Sequence, residues 1–356
     1  MVRRSISSWP LRSLAAIVLL AAVAGGATAP AAAAGAVPSG EAAPPAEPAA
    51  RKPLPRPERL GGADRYEQSV MVSKTMQLRH VDIVYIASGE KFPDALSAAS
   101  VAGLHRSPLL LTARDTLPES VRREVLRLTP TTIVIVGGEA SVSEAVALQL
   151  SQTVSGVTIT RVGGADRYEV SRNLIRDPLV GSRTTALFIA TGSQFTDALS
   201  AAPAARQVQA SVLLIDGGES APTMAERMVF DELTVDYAYI AGGPASVSSA
   251  LERSLQVTMT TERLAGPDRF AASVAIANRA FARAEVAYLA SGVNFPDALS
   301  GGPVAAYNEA PLYLVRPDCV PEVVLNDLAR LNPKSIVMLG GPATLGEGVQ
   351  NLTLCA

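Results

Sequence analysis

The sequence predicts an α/β protein made of three tandem Rossmann-like modules with parallel sheets. Three observations carry this. Asp64, Asp166 and Asp268 stand 102 residues apart inside near-identical stretches, a period of small-domain size rather than of a solenoid unit. Each repeat holds apolar runs of four to six residues that are unbroken rather than alternating, the mark of strands covered on both faces. Stretches with helical apolar spacing lie between those runs, and alternating strands and helices give βαβ units.

The chain opens with Arg3, Arg4 and Arg12, an apolar run and small residues that include Ala32 and Ala34. That pattern predicts a secretory signal peptide over 1–34, too short to be a membrane span. Residues 35–58 are rich in Pro and Ala and predict an extended spacer. Modules then follow over 59–156, 157–258 and 259–356, and no later run is long enough to cross a membrane. Without the first 34 residues the balance is 28 Lys+Arg against 33 Asp+Glu. A mildly acidic chain excludes a global attraction to nucleic acid, so any anionic partner must be held by local groups.

Four landmarks recur in order: "RLGGADRY", "RVGGADRY" and "RLAGPDRF"; then "ASGEKFPDALS", "ATGSQFTDALS" and "ASGVNFPDALS"; then "PLLLT", "SVLLI" and "PLYLV"; then "VGGEASVS", "AGGPASVS" and "LGGPATLG". In the first, the Gly pair permits a tight strand-to-helix turn, and Asp64, Asp166 and Asp268 are expected to cap the helix that follows. Glu67 and Glu169 complete a capping box that Ala271 lacks in the third copy. In the helix itself, Tyr66, Val70 and Met71 are expected on one face. Capping leaves Arg65, Arg167 and Arg269 unexplained, because a cation in the first turn meets the unfavourable end of the helix dipole. Each needs a partner, either a structural carboxylate or an anionic ligand.

Asp94, Asp197 and Asp297 open helices after a strand and read as N-caps, with a cation or sugar-hydroxyl contact as the sharper alternative. Small residues follow them, Ala98-Ala99, Ala201-Ala202 and Gly301-Gly302, and would let another helix approach closely. In "LPESVRREVLRL", Leu117, Val121, Val125 and Leu128 form a stripe opposite Arg122, Arg123 and Arg127. In the last landmark, Ser141 with Glu144 and Thr344 with Glu347 match capping boxes; Ser246 stands at the same position without the Glu. Such caps after a Gly pair would leave backbone N–H groups facing an anion.

Neither a dinucleotide fingerprint nor a Walker loop is present. Cys319 and Cys355, the only cysteines, are expected to pair as a disulfide in an exported chain. His80 and His105 have no counterparts in the other repeats, so neither a zinc set nor a catalytic triad emerges. No cofactor, metal or catalytic residue is therefore expected. Trp9, the one tryptophan, falls in the expected signal peptide, which leaves glycan contacts to polar and charged groups.

These landmarks, in this order and three times over, resemble the cell wall-binding repeat 2 modules of Gram-positive surface proteins, across about 59–356. The resemblance implies Rossmann-like or Toprim-like modules around a pseudo-threefold axis. It also implies secretion and non-covalent attachment to an anionic wall polymer, teichoic-acid-like or a phosphate-bearing glycan. Family binding is ascribed to inter-module surfaces near the apolar strand, here Leu110, Leu214 and Tyr313, to which we add the three arginines. Family members often carry a separate effector domain, and none is expected here. Two rivals remain from other classes: a peptidoglycan amidase, and a small-ligand binder at the strand ends.

Overall fold

The computed structural model describes residues 53–179, 181 and 184–356. The expected signal peptide and most of the expected spacer lie outside the described residues. In chain order the elements are β1 (Glu58–Leu60), α1 (Arg65–Thr75), β2 (Ile83–Ser88), α2 (Phe92–Leu104), β3 (Leu109–Thr112), α3 (Glu119–Leu128), β4 (Thr132–Val136) and α4 (Glu144–Thr153). The second repeat follows as β5 (Thr158–Val162), α5 (Arg167–Arg176), β6 (Ala186–Thr191), α6 (Thr196–Gln207), β7 (Ser211–Ile215), α7 (Met224–Leu233), β8 (Tyr237–Ala241) and α8 (Ser249–Leu255). The third runs β9 (Thr260–Leu264), α9 (Arg269–Ala280), β10 (Val286–Ser291), α10 (Pro296–Tyr307), β11 (Leu312–Val315), α11 (Glu322–Leu331), β12 (Ser335–Leu339) and α12 (Glu347–Gln350).

Three four-stranded sheets result, ordered β3-β2-β4-β5, β7-β6-β8-β9 and β11-β10-β12-β1. Every ladder is parallel. The unbroken apolar runs form the central strands, and Val84, Tyr85, Ile86 and Ala87 are all fully buried. The strand that leads into each repeat completes the sheet of the repeat before it. For the first repeat there is no such predecessor, so β1 pairs instead with β12, Glu58 opposite Val337 and Leu60 opposite Leu339. The last sheet therefore joins the two ends of the described chain. Leu54 packs on the core just before it, and Pro57 is buried, so the final residues of the Pro/Ala-rich stretch are docked rather than free spacer.

Helices α2, α6 and α10 pack mutually at the centre. They carry almost only small and apolar residues and are buried all round, as a core helix requires. A Cβ on Gly302 would lie 3.5 Å from that of Ala99 and 3.6 Å from that of Ala202, so the small residues do bring the three helices together. At their N-terminal ends Phe92, Phe195 and Phe295 form a triad with ring centroids 5.5–5.9 Å apart. Three equivalent residues meeting mutually define the pseudo-threefold axis.

Helices α1, α5 and α9 straddle the seams. Each packs on an edge strand of its own sheet and on the central helix of the preceding repeat: α1 on β3 and α10, α5 on β7 and α2, α9 on β11 and α6. In α1, Val70 is buried as expected but Met71 is only half-buried, while Gln68, Ser69, Val72 and Ser73 are buried too. The serines serve the edge strand: Ser69, Ser171 and Ser273 accept the backbone N–H of Leu111, Leu214 and Leu314. The α3 stripe is buried as its spacing predicts, with Glu124 buried beside it and paired with Arg127 at 2.6 Å. Cys319 and Cys355 form the expected disulfide, Cα atoms 5.0 Å apart, and tie the C-terminal tail to the third module.

Candidate ligand face at the module seams

All four landmarks converge at the carboxyl ends of the strands, where open α/β sheets place ligands. Asp64 and Asp166 cap their helices as expected, each accepting two backbone N–H groups at 2.8–2.9 Å. Asp268 accepts one, from Ala271, at 2.8 Å. Glu67 and Glu169 reach back to the N–H of Ala63 and Ala165, one residue before the cap. The second glycine of the pair is required by close approach: a Cβ on Gly62 would lie 2.3 Å from the backbone nitrogen of Gln68.

The Asp of the second landmark does something other than cap. The N-cap positions of α2, α6 and α10 are Lys91, Phe195 and Phe295, none with a side-chain cap bond. Asp94, Asp197 and Asp297 lie within the first turn instead, Asp94 and Asp197 buried and Asp297 half-buried. Ser141 Oγ donates to Asp94 Oδ2 at 2.7 Å, and Ser246 and Thr344 bond Asp197 and Asp297 in the same way. The expected capping boxes at Ser141 and Thr344 are therefore corrected, and Ser246 is not a cap either. The Gly-Gly turn closes on itself through Ser141 N to Gly138 O, so the helices start later, with Ser143, Ser248 and Gly346 at their N-cap positions, of which only Ser248 accepts a helix N–H. This turns each hydroxyl back onto the carboxyl.

Gly137, Gly242 and Gly340 have φ of 106°, 98° and 115°. A Cβ there would lie 2.2–2.4 Å from the same carboxylate oxygens. Burial pushes all three Asp pKa values up, while the Ser or Thr bond and one arginine pull them down. That arginine comes from the next module: Arg167 acts on Asp94, Arg269 on Asp197, and Arg65 on Asp297.

Within its own module each arginine donates Nη1 to a loop carbonyl. Arg65 bonds Gly89 O at 2.6 Å, Arg167 bonds Gly192 O at 2.6 Å and Arg269 bonds Gly292 O at 2.5 Å. The contact partner that the dipole argument demanded is thus a loop carbonyl, while a carboxyl across the seam attracts each arginine at longer range. Arg65 and Arg269 are exposed and Arg167 is half-buried, its guanidinium 5.8 Å over the Phe92 ring. None of the three has a carboxylate within 4.0 Å among the described residues.

Leu110, Leu214 and Tyr313 are fully buried, and the Tyr313 hydroxyl donates to Asp327. They fill the core and present no atom to a polymer, because a strand covered on both faces has no free one. Two recurring features escaped the sequence reading. Arg59, Arg161 and Arg263 hold the Gly-Gly turn by bonding Gly340, Gly137 and Gly242 carbonyls at 2.8–3.1 Å. The phenylalanine triad is the other. Both repeat at the module period, the signal that would have found them. Among the described residues no three His, Cys, Asp or Glu are grouped to hold a metal ion. No described helix is long and apolar enough to cross a membrane.

The chain is similar to the Bacillus subtilis proteins named Amidase enhancer, at 26% identity over 83% of this chain, and N-acetylmuramoyl-L-alanine amidase LytC, at 24% over 83%. It spans only 39% and 57% of their lengths. Among solved structures, Cwp6 from Clostridium difficile matches with a TM-score of 0.75 at 24% identity, over 84% of this chain and 48% of that one. Cwp8 from the same organism matches with a TM-score of 0.72 at 26% identity, over 83% and 51%. The sequence profile of Cell wall binding domain 2 matches residues 59–147, 161–252 and 263–350. The three repeated modules, with their seams built from the same four landmarks, make this chain a member of the Cell wall binding domain 2 (CWB2) family.

Proposed function

We propose that the chain attaches non-covalently and without catalysis to an anionic wall polymer, teichoic-acid-like or a phosphate-bearing glycan, through the face that carries Arg65, Arg167 and Arg269. The observation that carries this reading is the repeated, carboxylate-free arginine fixed by a loop carbonyl at each seam. One fork of each guanidinium is used internally, and the planar remainder suits phosphate or carboxylate oxygens. The half-buried Phe92, under the Arg167 guanidinium, adds an apolar surface beside that cation. Secretion to the wall fits this role. The amidase named among the relatives is longer than the region matched.

Purified Gram-positive walls should pellet the chain, and walls stripped of secondary polymers should not. Equal pelleting by stripped walls would sink the anionic-polymer reading, and release of soluble muropeptides would replace it with a hydrolase. The triple variant Arg65→Ala, Arg167→Ala, Arg269→Ala should lose most wall binding yet remain folded. Each lost carbonyl bond has a charged donor at a solvent-accessible seam, and its cost falls near the lower end for such bonds, about 1.5 kcal/mol.

A further inference from the structure

The three arginine sites share a plan but not a charge. Each has a capping Asp beside it and one carboxyl across the seam, so these are common to all three. The rim residues differ. Arg65 lies over Gly89, and the next residue is Glu90, whose charge pushes the Tyr66 hydroxyl up. The residue after β3 there is Ala113. At Arg167 the residue after β7 is Asp216, which likewise acts on Tyr168. Lys91 faces that seam, its Nζ 3.5 Å from Ala140 O, with exposed Glu139 on the same turn. With the shared Asp residues set aside, each of these two sites is charge-balanced.

The third site is not. The residue after β11 is Arg316, exposed, with its guanidinium 5.8 Å over the Phe270 ring. Arg269 Cδ and Phe270 both lie against Gly292, and Val315 O accepts the Gly292 N–H, so both arginines border the same glycine loop. The loop position next to Gly292 is Val293, and Gln194 and Pro244 complete the seam with no charge. Arg316 has no carboxylate within 4.0 Å among the described residues; Asp318 lies instead against Gly346. Where the other sites carry a tyrosine hydroxyl, this one carries a bare ring under a guanidinium.

We infer that the module 3 site is the principal anion subsite, in which Arg269 and Arg316, with Phe270 between them, grip one phosphodiester of the polymer. Two guanidinium forks match the paired oxygens of a phosphodiester, whereas Glu90 and Asp216 repel it at the other two sites. Arg65 and Arg167 then add weaker contacts along the same chain. The inference rests on the arginine-face reading above and ranks its three sites.

The test uses the purified chain and poly(glycerol phosphate), with affinity measured by calorimetry and folding by thermal melts. Arg316→Ala should weaken binding about tenfold, as loss of a charge-assisted contact does, and Arg269→Ala should match it. Arg65→Ala should cost about twofold or less. Ala113→Arg, which places an arginine at the equivalent position of module 1, should strengthen binding. Equal losses from Arg65→Ala, Arg167→Ala and Arg269→Ala, with none from Arg316→Ala, would overturn the ranking while leaving the arginine-face reading intact. A chain that binds neither the polymer nor intact walls would remove both.

Discussion

At the scale of single residues, the three seam carboxyls show how one side chain serves two modules. Asp94 accepts from Ser141 across its own Gly-Gly turn and feels Arg167 from the next repeat. Burial is the largest influence on it, and its pKa is raised, as it is for Asp197 and Asp297. Their contribution to stability is fully present below the unfolded value, near 3.9. It is lost as pH rises through the raised folded values, since ionising them in place costs more than in the unfolded chain. Urea unfolding of the chain should therefore show stability falling as pH rises above about 4. Asp94→Asn, Asp197→Asn, Asp297→Asn should flatten that slope and be no less stable than the parent at pH 7; an unchanged slope would mean other groups cause it. These roles were illegible in the sequence. An Asp at a helix start looks the same whether it caps or is folded under a turn formed some forty residues later. Asp64, Asp166 and Asp268 were legible because capping is local.

At the scale of elements, the unbroken apolar runs gave the strands and the α3 stripe gave its helix, since burial on both faces or on one is written in the spacing. Helix α1 was read less well: its buried face includes Gln68, Ser69 and Ser73, polar residues that no apolar pattern marks. Ser69 is there because the helix covers an edge strand, whose free Leu111 N–H needs an acceptor, while Gln68 bonds Gly62 N–H and Leu60 O and Ser73 donates to Glu124. Ser69→Ala should leave the Leu111 N–H buried without a partner and destabilise the fold by about 1–3 kcal/mol. Chemical denaturation would measure it, with Ser171→Ala and Ser273→Ala expected to match. A loss below that range at all three positions would show that the edge strands do not depend on these hydroxyls.

At the scale of the whole molecule, stability depends on a ring that the covalent chain does not close. β1 joins β12, so the start of the first repeat completes the sheet of the third. Removing residues through Leu60 should expose β12 as an unpaired edge, lower the melting temperature and promote self-association. Thermal melts with light scattering would test this; an unchanged melt would show that the central helices alone hold the ring. The Cys319–Cys355 bond closes a 36-residue separation within the third module. On the chain-entropy account, reducing it should cost about 3–4 kcal/mol, and leave the other two sheets untouched.

The sequence by itself determined the number of modules, their strand and helix order, the DRY caps and the paired cysteines, because each follows from period, local spacing or count. It also marked three arginines as needing partners. Only the tertiary structure decided what those partners are, and that the apolar strand residues Leu110, Leu214 and Tyr313 lie out of reach of any ligand. The physical reason is that each seam joins groups from different repeats. An arginine acquires a carboxyl across the seam, and the phenylalanines a common axis, only when packing of α2, α6 and α10 brings the modules into a ring.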